Sequence, residues 1–371
     1  MRVGVPREIK VHEYRTGLTP ASVRELAVRG HSVLVEAGLG AAIGLTDEQY
    51  AAAGARIVPS ASDVWGQAEL IVKVKEPQAA ERALLREGQV LFTYLHLAAD
   101  PPQAADLARS RSVCIAYETV TAPGGGLPLL APMSEVAGRL AVQAGAAHLE
   151  LPAGGMGVLL SGVPGVPPAH VVIIGAGVVG TNALQVAAGA GARVTVIDRS
   201  IERLRQLDLV FGNRIATRCA TGHAIEESLT DADLVIGAVL VPGAAAPKLV
   251  TRAMLAGMKR GAVLVDVAID QGGCFETSRP TTHADPTYVV DGIIHYCVAN
   301  MPGAVARTSA HALNNATLPF VLALADKGWR RALADDEHLR RGLNVCRGEV
   351  THEAVAKALG RPWRDPGECL A

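Results

Sequence analysis

From its first residue the chain alternates short β-branched apolar runs with stretches of helical periodicity. "MRVGVP" reads as a strand. A helix follows in "LTPASVRELAVRG", opening at Thr19 with Pro20 as its first residue and closing at Gly30. A Thr cap accepts a backbone N–H that would otherwise lack a partner, and Pro fits the first helical position because its missing N–H has no intrahelical role there. "HSVLVEAG" is the next strand, and "LTDEQYAAAG" a helix capped near Thr46. The rhythm continues through "LIVKVKE", "AAERALLREG", "VLFTYLHL", "AADLARSR" and "SVCIAYETV". Strand, helix, strand at this spacing predicts a parallel sheet with helices on its faces.

"TAPGGGLPLLAPM" interrupts the pattern, and a long helix follows in "SEVAGRLAVQAGAAHLEL", with Ser134 placed to cap it. Beyond the Gly/Pro-rich "PAGGMGVLLSGVPGVPP" a second series runs "HVVIIGAGVVG", "ARVTVID", "ADLVIGAVL", "GAVLVDVAI" and "GIIHYCVAN". Helical patterns resume from about Ser309, with no third sheet expected. The predicted fold is α/β: two Rossmann-like, doubly wound parallel-sheet domains with a cleft between them. The expected division is 1–130 plus 306–371 for the first and 131–305 for the second.

"VVIIGAGVVGTNALQVAAGAGARVTVID" places G-x-G-x-x-G at Gly175, Gly177 and Gly180 between a strand and a helix, with Asp198 ending the next strand 18 residues beyond Gly180. Such context makes a short motif specific for a dinucleotide. Gly175 makes the tight turn, Gly177 admits the pyrophosphate to the backbone, and Gly180 lets helix and strand pack closely. The helix N-terminus offers N–H donors to phosphate. Asp198 accepts from a ribose and repels a 2′-phosphate, which favours NAD over NADP; Arg199 beside it pulls the other way.

Ligands of open parallel sheets lie beyond the carboxyl ends of the strands. Arg15 follows the first strand, Lys75 ends "LIVKVK", His96 ends "VLFTYLH" and Glu118 ends "SVCIAYE", all on one rim; Asp270 ends "AVLVDVAID" on the other sheet. Side chains alternate along a strand, so Lys73 shares a face with Lys75 but lies farther from the edge, as a snorkelling or paired lysine. Two cations and an imidazole suit a small carboxylate with a carbonyl or amine beside it. Glu118 and Asp266 read as structural partners of neighbouring cations or backbone, and Cys274 is not needed as a nucleophile for hydride transfer.

Composition narrows the partners. A net charge of −1 gives no footprint for nucleic acid or an acidic membrane. The apolar stretches are cut by Gly and Pro before reaching the roughly 20 residues that a spanning helix needs, and "MRVGVPREIK" lacks the apolar core of a signal peptide. Six scattered cysteines show no metal or disulfide spacing. A cytoplasmic protein without a metal, acting on small molecules, is the expectation.

"MRVGVPREIK", "EYRTGLTP", "LIVKVKEP", "LFTYLHLAA", "SVCIAYETV", "LPLLAPMSEVAGRLA", "GMGVLLSGVPGV", "DLVIGAVLVPGAAAPKLV" and "VLVDVAIDQGGCFE" together resemble the alanine dehydrogenase family across nearly the whole chain. The wider group includes saccharopine dehydrogenase and the NAD-binding component of proton-translocating transhydrogenase. The resemblance implies NAD-dependent, reversible oxidative deamination of L-alanine to pyruvate and ammonium by a homo-hexamer. It implies that Arg15 and Lys75 bind substrate, that His96 is the general acid/base and that Asp270 sits beside the nicotinamide. For the dinucleotide it implies Ser134, Val178, Val179, Asp198, Arg203, Ala220, Val239, Leu240, Val267, Ala268, Ile269, Arg279, Val298, Ala299, Asn300 and Met301, with the three glycines. Ala220 stands where relatives carry serine, so one side-chain hydrogen bond is lost there. A transhydrogenase component, an NAD-retaining amino-acid lyase and a dehydrogenase for a larger amino acid stay open as alternatives.

Overall fold

The strands of the computed structural model, which describes residues 1–239 and 246–370, are β1 (Arg2–Val5), β2 (Ser32–Glu36), β3 (Ala55–Val58), β4 (Leu70–Val72), β5 (Val90–Thr93), β6 (Val113–Ala116), β7 (His170–Ile174), β8 (Arg193–Asp198), β9 (Ala216–Cys219), β10 (Leu234–Gly237), β11 (Val263–Asp266), β12 (Thr287–Val290), β13 (Ile293–Tyr296), β14 (Leu343–Cys346) and β15 (Glu349–Val350). They form two sheets, of order β15-β14-β6-β5-β4-β1-β2-β3 and β12-β13-β11-β10-β7-β8-β9. Each belongs to its own unit, Met1–Met133 with Val305–Ala371, and Ser134–Ala304.

Both sheets are mixed rather than wholly parallel. β1 to β6 pair in parallel, but β14 runs antiparallel to β6, and β15 to β14. In the second sheet β12 is the antiparallel edge, on β13. The C-terminal stretch therefore carries two strands that periodicity did not reveal. They are four and two residues long, too short to show alternation, and β14 is buried throughout.

In each sheet the chain winds outward one way and then restarts on the other side of the first strand. β1 is flanked by β2 and β4, and β7 by β8 and β10. The gap beyond β1 and β4, and that beyond β7 and β10, are the switch points where such sheets take ligands.

Local chemistry sets several boundaries. Thr19 caps the helix Pro20–Val28, Gly30 follows it with φ of +82°, and Thr46 makes a capping box with Gln49. The long helix runs Ala131–His148, so Ser134 lies in its first turn instead of capping it. Pro132 is tolerated there because the first turn needs no N–H from it.

The strand expected through Lys75 ends at Val72. Lys73 N–H still bonds the Phe92 carbonyl (3.2 Å), but Val74 N–H turns to the Glu8 carboxylate (2.7 Å), and the ladder stops. Lys73 itself is wholly buried between Glu8 and Glu81, a paired lysine and not a snorkelling one. The helix Ala306–Lys327 docks on the first unit through Asn314. Its Oδ1 accepts from Thr19 N–H (2.7 Å) and the Ser22 hydroxyl (2.9 Å), and its Nδ2 donates to the Thr16 carbonyl (3.2 Å).

Candidate functional site

The three glycines of the fingerprint can be tested by asking what a methyl group would meet at each. Gly175 has φ of +102°, and a Cβ would stand 2.7 Å from the Ala238 carbonyl oxygen. At Gly180 it would stand 1.8 Å from the Gly175 oxygen, an impossible approach. Gly177 differs. It precedes the helix Val178–Gly189 with φ of −69°, and nothing lies within 4 Å of its Cβ position. Neither backbone nor packing inside this unit requires glycine there, which fits a ligand that approaches the main chain at the helix N-terminus.

The turn is clamped at Ala176. Its N–H donates to Asp198 Oδ2 (2.7 Å), and its carbonyl accepts from Arg203 Nε (2.9 Å). Arg203 Nη2 also donates to Thr181 Oγ1 (2.7 Å), so this arginine braces the loop. Asp198 Oδ1 takes the Ser200 N–H (2.8 Å). Each carboxylate oxygen has a second lone pair, so acceptor capacity is left for a ribose. Ala220 is tied beside it, its N–H on the Asp198 carbonyl (3.0 Å). Val239 follows β10 and borders Gly175 at the switch point; Leu240 lies outside the described residues.

Asp270 does not end a strand. β11 stops at Asp266, and Val267–Gln271 form a short 3-10 helix on which Asp270 is exposed. Asp266 is the structural residue of the pair. Wholly buried, it accepts from the backbone of Ala268 (3.1 Å) and Cys274 (2.9 Å) and from Ser278 Oγ (2.5 Å). Cys274 is wholly buried, and burial with the Asp266 carboxylate beside it pushes its thiol well above the ordinary range, the setting of a structural cysteine. Val298, Ala299, Asn300 and Met301 follow β13, and Asn300 has φ of +60°. Arg279 stacks on the Tyr288 ring, 4.0 Å from its centre, and the Thr281–Val298 bridge keeps its loop beside that segment.

In the first unit Arg15 is buried, its Nε 2.7 Å from Glu13 Oε1 and its Nη2 2.5 Å from Glu13 Oε2. Burial opposes the charge, and the facing carboxylate outweighs it, so the guanidinium titrates above its ordinary value. The Nη1 edge meets the Met133 sulfur, a weak acceptor.

His96 lies beyond the end of β5 in a left-handed conformation, φ 51° and ψ 38°. Two contacts hold it there. Glu118 accepts its backbone N–H (2.6 Å) and that of Leu95 (3.2 Å), and the imidazole stacks on Tyr94 at 5.8 Å and 5°. Its Nδ1 is 3.9 Å from Glu118 Oε1, and half of the side chain is exposed. Tyr94 lies within electrostatic reach of both Arg15 and Glu118. Half-buried Lys75 has its carbonyl bound by the Thr93 hydroxyl (2.9 Å), one residue before Tyr94.

Arg15 and Lys75 thus follow β1 and β4 at the first switch point, and His96 and Glu118 follow the next two strands out. Glu13 and Tyr94 were not singled out in the sequence. A signal existed for each: a carboxylate two residues before a rim arginine, and an aromatic two residues before a rim histidine.

A doubly wound unit with a complete dinucleotide fingerprint, joined in one chain to a second whose strand ends carry paired cations and a held histidine, has the construction of a two-domain dehydrogenase. The chain belongs to the alanine dehydrogenase/PNT family, whose N-terminal domain matches residues 4–137 and whose C-terminal domain matches residues 141–353. It is 64% identical to the alanine dehydrogenase of Halomonas elongata over 360 residues, 97% of each chain. A solved L-alanine dehydrogenase superimposes with a TM-score of 0.95 at 51% identity, over 97% of this chain and 99% of that one. A transhydrogenase from Sinorhizobium meliloti is more distant, at a TM-score of 0.82 and 26% identity over 95% and 100%.

Proposed function

We propose that this chain catalyses the reversible, NAD-dependent oxidative deamination of L-alanine to pyruvate and ammonium. The observation that carries the reading is full-length identity of 64% to an alanine dehydrogenase, against 26% to the transhydrogenase. Residues 1–130 with 306–371 serve as the substrate domain and 131–305 as the NAD domain, in a cytoplasmic homo-hexamer. That assembly and location belong to the same family-based reading.

When bound, NAD supplies the hydride acceptor for deamination and NADH the donor for amination. The Gly175–Gly180 turn and the following helix N-terminus would receive the pyrophosphate, Asp198 would accept from the ribose, and Asp270 would serve the nicotinamide end. Ser134, Val178, Val179, Arg203, Ala220, Val239, Leu240, the segment 267–269, Arg279 and the segment 298–301 complete the cofactor set. Arg15 and Lys75 hold the carboxylate and carbonyl of pyruvate, and such orientation accounts for much of the rate of a bimolecular reaction. His96 exchanges protons with the reacting oxygen and nitrogen: it protonates the hydroxyl of the carbinolamine as water leaves during amination, and takes a proton from attacking water in the reverse direction.

The first test is NADH absorbance with pyruvate, with and without ammonium. Oxidation that requires ammonium is expected. Oxidation without it indicates a simple keto-acid reduction, and none at all, with NADH still bound, overturns the proposal.

The cofactor site has its own test. Gly180→Ala must displace the Gly175 carbonyl, so the NADH dissociation constant in a fluorescence titration is expected to rise at least about tenfold, or about 1.4 kcal/mol. Unchanged affinity refutes the placement of the pyrophosphate.

A further inference from the structure

We propose that Glu8 and Lys73 are positioning residues for Lys75, fixing the exit of β4 through a buried ion triad. The inference rests on the substrate-binding role of Lys75 proposed above.

Lys73 Nζ lies 3.0 Å from Glu8 Oε2 and 2.7 Å from Glu81 Oε1, and the side chains are 0%, 3% and 4% exposed. The two carboxylates keep Lys73 above its ordinary titration range against the pull of burial. Withdrawing three charges from water is costly, and well-packed apolar residues often replace a buried ion pair with no loss of stability. Stability alone is therefore a poor reason for a lysine at this point.

The triad does something that an apolar trio cannot. Glu8 uses one oxygen for Lys73 and the other for Val74 N–H (2.7 Å), at the residue where the ladder ends. The same short strap is held by Tyr94 N–H on the Val74 carbonyl (3.2 Å) and the Thr93 hydroxyl on the Lys75 carbonyl (2.9 Å). Glu81 gives its second oxygen to Gln78 N–H (2.8 Å), anchoring the helix Ala79–Arg82 that follows. Lys75 thus leaves the main chain between one gripped amide and two gripped carbonyls. Glu8 itself lies on the segment that leads from β1 to Arg15. One carboxylate is a common peg for the loop bearing Arg15 and the strap bearing Lys75.

The decisive experiment measures pyruvate KM, kcat and NADH affinity in Glu8→Gln and in Thr93→Val, the second of which alters no charge. A loosened strap weakens substrate binding, so pyruvate KM is expected to rise about tenfold for Glu8→Gln and several-fold for Thr93→Val, with kcat within about twofold. NADH affinity should not change. A purely structural triad lowers the active fraction, so a fall in kcat at constant KM, or no change in either, overturns the proposal; if Glu8→Gln does not fold, Thr93→Val decides. Failure of the unsubstituted protein to oxidise NADH with pyruvate and ammonium refutes the reading of function itself, a different result from an active enzyme whose KM ignores both substitutions.

Discussion

His96→Ala is expected to lower kcat for reductive amination by about 10²- to 10⁴-fold, the usual contribution of a placed general acid/base, while NADH binds as before. That range corresponds to about 3–5 kcal/mol of transition-state stabilisation. The imidazole is placed by its surroundings more than by its own bonds. Its backbone is left-handed, a conformation that costs a non-glycine residue of order 1 kcal/mol and is stabilised here by Glu118 on the peptide N–H and by the parallel Tyr94 ring. Imidazole is also the side chain whose ordinary titration lies nearest working pH, so it can give and take a proton in one turnover. The loss should fall on kcat, because the proposed function gives substrate binding to Arg15 and Lys75 and the fingerprint lies in the other unit. Steady-state kinetics with an NADH fluorescence titration measures both. Equal loss of NADH affinity would sink the assignment.

Where these candidate residues fall in the fold was in part legible in the sequence, and the limits have physical causes. The fingerprint was readable because Gly175 and Gly180 are required by geometry that no other residue satisfies, with Gly177 at the fixed spacing between them, and the rim residues because parallel strands deliver their ends to one edge. The pattern of "VLVDVAID" carries a strand to Asp270 because apolar residues flank Asp266 on both sides, whereas Asp266 draws backbone N–H groups and ends the strand four residues sooner. Lys75 was assigned to the strand for a similar reason. Periodicity cannot see that Val74 N–H prefers a carboxylate arriving from Glu8, 66 residues earlier in the chain. Glu118 holds His96 from 22 residues away, a pairing that only folding brings together, whereas Glu13 and Tyr94 act on residues two positions along the chain. The short antiparallel strands β14 and β15 join a sheet whose other members lie more than two hundred residues upstream, and nothing local in "LNVC" or "EV" announces that.

Glu13→Ala should destabilise the first unit by about 3–5 kcal/mol, the cost of breaking a buried pair by removing one partner. At roughly 2–4 °C per kcal/mol for a unit of this size, its unfolding transition falls by on the order of 10 °C. The Glu13 carboxylate accepts Arg15 Nε (2.7 Å), Nη2 (2.5 Å) and the Arg15 backbone N–H (3.0 Å), with the pair almost wholly buried. Deleting it costs the guanidinium its bidentate partner in a place that disfavours charge, as the opposing effect of burial on its titration shows. Glu13→Gln separates charge from shape, since the amide oxygen can still accept from Nε and the backbone; a smaller loss, near the 1.5–3 kcal/mol of a charged hydrogen bond, is expected. Because the same pair aims Arg15, pyruvate KM should rise in both variants while NADH affinity holds. Thermal unfolding followed by circular dichroism, run beside the kinetic assay, tests both consequences. If Glu13→Ala melts with the unsubstituted protein, the arginine has been relieved by water or by moving, and the ion pair is then no anchor for the substrate carboxylate.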